Sequence, residues 1–249
     1  MGRCHVARVD DLLIAALKTL PPKPPPTAGQ AAKRKYSQDM SAVIALALAD
    51  EVRQRGMKSS LPAAPGQVGF SSGAERRLAG GIGAKKVDVT WATEESGLLL
   101  GGSVKTINFK DGRTGNFQKN LTNRRGDMLF EAVTLHRRFP YAVLAGFMFL
   151  DKDAQNDGTA KRRSTFENAF TRLRLFTGRE DPAGRDEQYE RLYLLLVDAN
   201  PFSPSFTCYH VSDPTTLVNL SDAFDEIVTI VAERNFDFYE AIGGEIRKV

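Results

Sequence analysis

The fold of this chain is decided at residues 85–109, KKVDVTWATEESGLLLGGSVKTINF. Two runs rich in apolar, β-branched and aromatic residues flank the segment 94–97, a pattern typical of a β-hairpin. The second run carries Lys105 inside an otherwise apolar strand. Ser103 stands two positions before it and therefore shares its face, because side chains alternate along a strand.

The loop predicts the pairing within this hairpin. If Thr93 lies opposite Leu98, antiparallel pairing places Asp88 opposite Ser103, and Lys105 lies one diagonal step away. Opposed side chains have Cβ atoms about 5 Å apart and diagonal ones about 7–8 Å apart. We therefore expect an acid and a lysine to meet on one face of this strand pair.

The rest of the chain alternates between helical and strand patterns. Helices are predicted at 8–20, 39–56, 116–138, 165–176 and 220–242, and strands are predicted within 75–109 and at 141–151 and 191–200. The last two strands are apolar throughout, which is typical of strands covered on both faces. This order predicts an α/β fold with a mixed central sheet flanked by helices.

A proline run divides the N-terminal region from the main body. The sequence PPKPPP at 21–26 predicts a stiff linker that becomes flexible toward residue 35. We therefore expect an N-terminal helix and Pro-rich linker over 1–35 and one domain over 36–249.

Composition narrows the class of protein. A hydrophobic content of 42% with 15 Phe supports a sizeable core. No apolar run reaches the roughly 18 residues that a membrane helix needs, so no membrane role is expected. The two cysteines, Cys4 and Cys208, make no disulfide framework. A reduced, cytoplasmic protein is the simplest interpretation.

Charge is distributed unevenly along the chain. The net charge is +4, yet residues 1–60 hold ten Lys and Arg against five Asp and Glu. Residues 105–138 hold eight against three. Such basic regions are typical of proteins that bind a polyanion such as nucleic acid, although basic residues also simply solvate helix faces.

The hairpin resembles the PD-(D/E)xK nuclease superfamily, which includes many type II restriction endonucleases. Its motif has an Asp on one strand and an acidic residue, any residue and Lys on the next, within a core of helix, three-stranded meander, helix and strand. Asp88 and Lys105 match this motif. Val87 replaces the nominal proline, and Ser103 replaces the acidic residue, which makes Ser103 a further candidate catalytic residue.

The resemblance implies a hydrolase that cleaves phosphodiester bonds with Mg²⁺ or Mn²⁺. Asp88 and the Val104 carbonyl would bind the cation. Lys105 would orient or deprotonate water, or stabilise the transition state. A cation in such a site neutralises developing charge and generates hydroxide at neutral pH.

Because Ser103 is a weaker ligand for a hard cation than a carboxylate, a second acid is expected elsewhere. Glu75 is the first candidate for a catalytic, metal-binding carboxylate. Glu51 is the second candidate. Each also has a purely structural interpretation, since Glu75 could pair with a neighbouring arginine and Glu51 with Arg55 one helical turn away.

Amides and arginines gather at the predicted start of the 116–138 helix. Residue types that contact phosphates and base edges stand there together, and the nucleic-acid-binding candidates are Gln118, Asn120, Asn123, Arg124 and Arg125. The alternative is an ordinary solvated helix end.

Three functions follow. The first is a magnesium-dependent DNA endonuclease of the restriction or phage-defence type, which acts on double-stranded DNA as a homodimer. The second is a catalytically inactive nuclease fold that binds DNA or a partner protein, an interpretation that Ser103 favours. The third is a structural or regulatory α/β protein with no role in nucleic-acid binding.

Overall fold

The computed structural model describes residues 8–69 and 72–249. The α-helices found there are α1 (Arg8–Lys18), α2 (Gln30–Gln54), α3 (Gln118–His136), α4 (Thr165–Leu173) and α5 (Leu220–Arg234). The strands found there are β1 (Arg77–Ala79), β2 (Ala84–Lys86), β3 (Val89–Thr93), β4 (Gly97–Ile107), β5 (Val143–Asp151), β6 (Arg191–Asp198), β7 (Ser205–His210), β8 (Tyr239–Ile242) and β9 (Glu245–Lys248).

A five-stranded sheet occupies the centre, in the order β3-β4-β5-β6-β7. The inner strands β4, β5 and β6 run parallel, and the outer strands β3 and β7 are antiparallel to their neighbours. The pairs β1–β2 and β8–β9 form separate two-stranded sheets. The predicted fold class, a mixed central sheet flanked by helices, is confirmed.

Apolar side chains cover both faces of the sheet. Along β5, Phe147 and Phe149 belong to the core beneath α1, α2 and α5. The alternate residues Met148 and Leu150 belong to the core beneath α3 and α4. Helices on both sides thus explain why this strand is apolar at every position, as expected for parallel strands.

The N-terminal region differs from the expectation. Helix α2 begins at Gln30, so the segment 30–35, predicted to be flexible linker, forms its first turns. Its Gln, Ala, Lys and Arg residues are all strong helix formers. The predicted boundary between residues 35 and 36 falls inside α2. Helix α1 packs on the main core, where Leu13 and Leu17 are fully buried.

The C-terminal region also differs. Helix α5 ends at Arg234 instead of continuing to residue 242, and a hairpin of β8 and β9 follows. Gly243 and Gly244 form its turn with φ of 58° and 78°. Two adjacent residues with positive φ are typical of a tight hairpin turn, and glycine adopts them without strain. Strand β7 was not predicted from the sequence.

The β3–β4 hairpin has the predicted register at the end that is near Asp88 and Lys105. Val89 lies opposite Gly102, as expected. A bulge after Trp91 shifts the remaining pairs by one residue, so Thr93 lies opposite Gly97 and not Leu98. Bulges of this kind change the local pairing and leave the pairs on their far side in register.

Two further expectations concern membranes and cysteines. Within residues 8–69 and 72–249, no helix is long and apolar enough to cross a membrane. Cys208 is a buried thiol in β7, and burial raises its pKa to about 12. Cys4 lies outside the described residues.

Candidate active site

Asp88 and Lys105, which carry the resemblance, are in direct contact. Asp88 immediately precedes β3, and Lys105 lies near the C-terminal end of β4. The Lys105 ammonium donates to Asp88 Oδ2 over 3.0 Å. The same oxygen accepts from the Val104 backbone N–H over 2.7 Å. The predicted meeting of acid and lysine is therefore present in the structure.

The end of the β3–β4 ladder explains this geometry. Strand β4 runs past the last ladder pair, so the Val104 N–H has the Asp88 carboxylate where a strand partner would stand. Gly102 lets the two strands approach, because a Cβ there would lie 2.9 Å from Val89 Cβ. Gly102 is thus needed for packing within the hairpin, while Gly101 makes room for Leu144 on β5.

A second carboxylate contacts the same ammonium. Glu131 on α3 is 2% exposed, and its Oε2 lies 3.4 Å from Lys105 Nζ. The Lys85 ammonium lies 3.5 Å from the same oxygen. We call Asp88, Lys105 and Glu131 the acid–lysine cluster.

Sequence reasoning missed Glu131, although a signal for it was present. The buried face of α3 includes Met128 and Leu135, and Glu131 stands three residues after the first and four before the second. This spacing places a carboxylate among apolar residues on one helix face. A buried acid on that face needs a partner, which the strand lysine supplies.

Neighbouring charges determine the protonation of Lys105, whose side chain is 11% exposed. Burial by itself lowers its pKa, but the nearby Glu131 and Asp88 carboxylates outweigh burial and raise the pKa above the ordinary lysine value. Lys105 is therefore an ammonium at neutral pH.

Ser103 lies on the same face of β4, 1% exposed, beside the Tyr189 hydroxyl. That hydroxyl donates to the Met128 carbonyl over 3.2 Å. Burial raises the pKa of Tyr189 well above its usual value, and the Glu131 carboxylate adds to this effect. Two neutral hydroxyls thus lie on the inner side of the acid–lysine cluster.

The two glutamates proposed from the sequence lie in different places. Glu75 is half-buried, and its carboxylate pairs with Lys86 at 2.5 Å. Glu51 is buried in α2 and pairs with Arg8 at 2.8 Å and Arg55 at 2.5 Å. Burial raises the pKa of Glu51, but its hydrogen bonds to the arginines outweigh burial, so the pKa is lowered. The structure therefore gives Glu51 a structural role, as the ion-pair partner of two arginines.

The cluster has the donors that a hard cation prefers. Among residues 8–69 and 72–249, no group of three or more His, Cys, Asp and Glu side chains is arranged to hold a metal ion. Magnesium, however, is commonly held by one or two carboxylates with water and substrate phosphate completing its shell. Asp88 and Glu131 offer two such carboxylates, and the positive charge that they share in this structure is the Lys105 ammonium, within 3.4 Å of both.

A cleft of about 1040 Å³ lies between the first turns of α2, the end of β4 and the start of α3. Three of the predicted nucleic-acid-binding residues line it, namely Asn120, Asn123 and Arg124. Gln118 and Arg125 do not belong to its described lining. Glu75 and Lys86 also line this cleft, which we call the basic cleft. Its described lining includes Thr106, the residue after Lys105, but no member of the acid–lysine cluster.

The polar residues at the cleft differ in their freedom to bind a ligand. Asn120 donates to the Phe109 carbonyl over 3.1 Å, and this bond anchors the start of α3. Arg124 pairs with Asp127 at 3.1 Å on the surface. Asn123 is exposed. Both amide atoms of Gln118 are buried without a hydrogen-bond partner among the described residues.

Comparison of the chain with protein-family models, curated proteins and solved structures finds no match. A function is therefore assigned from two features, the acid–lysine cluster and the basic cleft beside it. Asp88 keeps 25% of its side chain exposed, so a ligand in solution can reach the cluster.

Proposed function

We propose that this chain is a metal-dependent endonuclease that hydrolyses phosphodiester bonds in double-stranded DNA, of the restriction or phage-defence type and acting in the cytoplasm. The observation that carries the proposal is the direct contact of Asp88 with Lys105 at the open end of the hairpin. This contact is what the PD-(D/E)xK motif requires of its acid and its lysine.

Asp88 and Glu131 would hold a Mg²⁺ or Mn²⁺ ion, with the Val104 carbonyl as a further oxygen donor. The cation would supply Lewis-acid stabilisation of phosphoryl charge and a hydroxide at neutral pH. Glu131 takes the part of the acidic motif position that Ser103 leaves open, because it contacts the motif lysine and Glu75 does not.

Lys105 acts as a positive charge in this mechanism. Because its pKa is raised, it carries a proton at neutral pH and cannot accept another from water. Its ammonium can instead stabilise the negative charge that develops on the scissile phosphate in a site largely shielded from water. Asp88 holds that ammonium in position and receives the Val104 N–H, which orients the carboxylate.

A cleavage assay tests the proposal. Purified protein with Mg²⁺ or Mn²⁺ is expected to nick or linearise plasmid DNA, and EDTA is expected to stop the reaction. Asp88→Asn, Glu131→Gln and Lys105→Ala should each lower the rate by about 100-fold or more, since each removes charge from the reacting centre. The matched controls Asp237→Asn, Glu233→Gln and Lys58→Ala change exposed residues elsewhere and should cut normally.

Two outcomes of this assay would contradict the proposal. Intact DNA after incubation with either metal, or equal cleavage by the cluster and control variants, would refute the nuclease proposal. By analogy with enzymes that cut both strands with one site on each subunit, we expect a homodimer when light scattering is measured on the active protein.

The second candidate is an inactive nuclease fold that binds DNA or a partner protein. Ser103 at the acidic motif position and the double engagement of Glu131 by Lys85 and Lys105 favour it. It predicts salt-dependent DNA binding that neither requires metal nor leads to cleavage.

A further inference from the structure

The basic cleft carries a strong excess of positive charge. Six cationic side chains line it, against the two carboxylates of Glu75 and Asp111. The cations are Lys33, Arg34, Lys86, Lys110, Lys119 and Arg124. Both carboxylates are already paired, Glu75 with Lys86 and Asp111 with Lys119. The remaining cations therefore set the sign of the potential in the cleft.

One wall of the cleft is a polar stripe along α2. Its members follow helical spacing, three and four residues apart, and they are Gln30, Lys33, Arg34, Ser37, Gln38 and Ser41. A neighbouring face of the same helix buries Tyr36, Met40 and Ile44 in the core. This amphipathic pattern holds the stripe toward the cleft along the first half of the helix.

Hydrogen bonds join this stripe to the end of β4. Ser41 Oγ and Thr106 Oγ1 lie 3.1 Å apart, and Asn108 donates to Ser37 Oγ over 3.1 Å. Thr106 and Asn108 are each 5% exposed. These short polar residues therefore attach α2 to the end of β4, while the long cationic side chains of the stripe are left for a ligand.

Within the part of the chain that the structure describes, three cations in the cleft lack a carboxylate partner. No described acid pairs with Lys33, Arg34 or Lys110. Lys33 donates to the Pro26 carbonyl and lies 5.8 Å from the centre of the Phe109 ring. Lys110 and Arg34 are exposed. Unpaired cations that share a cleft repel one another, and an anionic ligand with several charges relieves this repulsion.

We infer that the basic cleft binds the sugar-phosphate backbone of DNA, with Lys33 and Arg34 on α2 and Lys110 after β4 as phosphate contacts. The inference rests on the proposed function for the identity of the ligand and adds a binding wall from α2. Phosphate contacts of this kind position a duplex without reading its sequence. The backbone held there would run past the strand ends that carry the acid–lysine cluster.

Fluorescence anisotropy with a short labelled duplex tests the inference. Measurements in EDTA separate binding from cleavage. The double variant Lys33→Gln/Arg34→Gln is expected to weaken binding by about tenfold or more, and to lower the slope of log affinity against log salt by about two, between about 50 and 200 mM salt. Lys110→Gln should lower that slope by about one.

The matched control is the double variant Lys18→Gln/Lys58→Gln, which removes two exposed cations outside the cleft. It should bind as the native protein does. Equal loss in cleft and control variants, no salt dependence, or tighter binding of RNA or an acidic peptide than of the duplex overturns the inference.

Two results separate this inference from the nuclease proposal. If the native protein binds DNA through these cations without cutting it, the nuclease proposal is refuted and the inference about the basic cleft is supported. If the native protein cuts DNA and the Lys33→Gln/Arg34→Gln variant binds and cuts as the native protein does, the inference about the basic cleft is refuted. The nuclease proposal is then still supported.

Discussion

The Lys105 ammonium contacts two carboxylates, that of Asp88 at 3.0 Å and that of Glu131 at 3.4 Å. With Lys85 at 3.5 Å from Glu131, the four side chains form two balanced pairs of charge. Balance matters because an unpaired charge in a site this buried is strongly destabilising. A further carboxylate would disturb it.

Ser103→Glu restores the acidic residue of the motif, and we expect it to destabilise the protein instead of activating it. The Ser103 side chain is buried beside Tyr189, and a glutamate adds volume where the core is full. Overpacking costs about 1–3 kcal/mol, and a third carboxylate near Asp88 and Glu131 adds to that cost. Urea unfolding should show a lower midpoint.

Ser103→Ala is the control, because it removes the hydroxyl without adding volume or charge. It should unfold close to the native midpoint and keep any nuclease activity. A Ser103→Glu variant as stable as the native protein that cuts DNA faster would contradict this prediction and support a decayed site in the native chain.

At the scale of single elements, α1 and α2 determine how the basic cleft is held. Helix α2 buries one face in the core and presents the other to the cleft. Helix α1 packs on α2, and Arg8 pairs with the buried Glu51. Lys23, between the two helices, pairs with Asp151 at the end of β5 and lies 5.3 Å from the centre of the Phe109 ring. The proline run is therefore attached to the body of the protein.

Leu13→Ala in α1 should destabilise the whole protein, because Leu13 is fully buried in the core shared with α2 and α5. Losing a buried leucine costs about 2–5 kcal/mol. Chemical denaturation should show one cooperative transition at lower urea. Leu217→Ala, at a side chain 61% exposed, is the matched control and should change little. A separate early transition for α1 would show instead that it docks independently.

At the scale of the whole molecule, buried carboxylates hold the elements together on both faces of the sheet. Glu190 is fully buried, accepts from the Leu144 N–H at 2.5 Å and pairs with Arg234 at 2.5 Å and Arg179 at 3.0 Å. On the other face, Glu51 joins α1 to α2. Burial raises the pKa of Glu190, but the His136 imidazole, whose Nε2 lies 3.4 Å from the carboxylate, and the charge of Arg234 outweigh it, so the pKa is lowered.

These pKa shifts predict how stability depends on pH. Because the pKa values of Glu51 and Glu190 are lower in the folded state, the unfolded chain binds more protons in acid, and stability falls as pH falls. The free energy of unfolding should be nearly constant from pH 7 to about 5 and should decrease below about pH 4.5. Urea unfolding at each pH measures this.

The variants Glu51→Gln and Glu190→Gln should be less stable at neutral pH and show a shallower acid slope. Glu233→Gln, at an exposed position, should keep the native slope. A native protein that gains stability on acidification, or Gln variants with an unchanged slope, would contradict the prediction.

The hairpin contact could be predicted from the sequence, whereas the rest of the site could not. Side chains alternate along strands, so the face that Asp88 shares with Lys105 is a local property, whereas the predicted pairing of Thr93 with Leu98 was wrong. The loop is one residue shorter than predicted, and the bulge after Trp91 compensates for it, so that Val89 lies opposite Gly102 as expected. Strand β7, the C-terminal hairpin and the start of α2 were missed, since local propensity and turn chemistry leave such boundaries open.

Glu131 and the α2 stripe reach the site only through tertiary packing. Glu131 is 26 residues from Lys105 in the chain, and α2 lies still farther from β4. Which helix face lies against which strand depends on how two apolar surfaces pack. Local periodicity indicates the buried face of a helix but does not indicate the element against which that face packs. The sequence thus supplied the acid and the lysine, and folding of the helices onto the sheet decided which charges surround them.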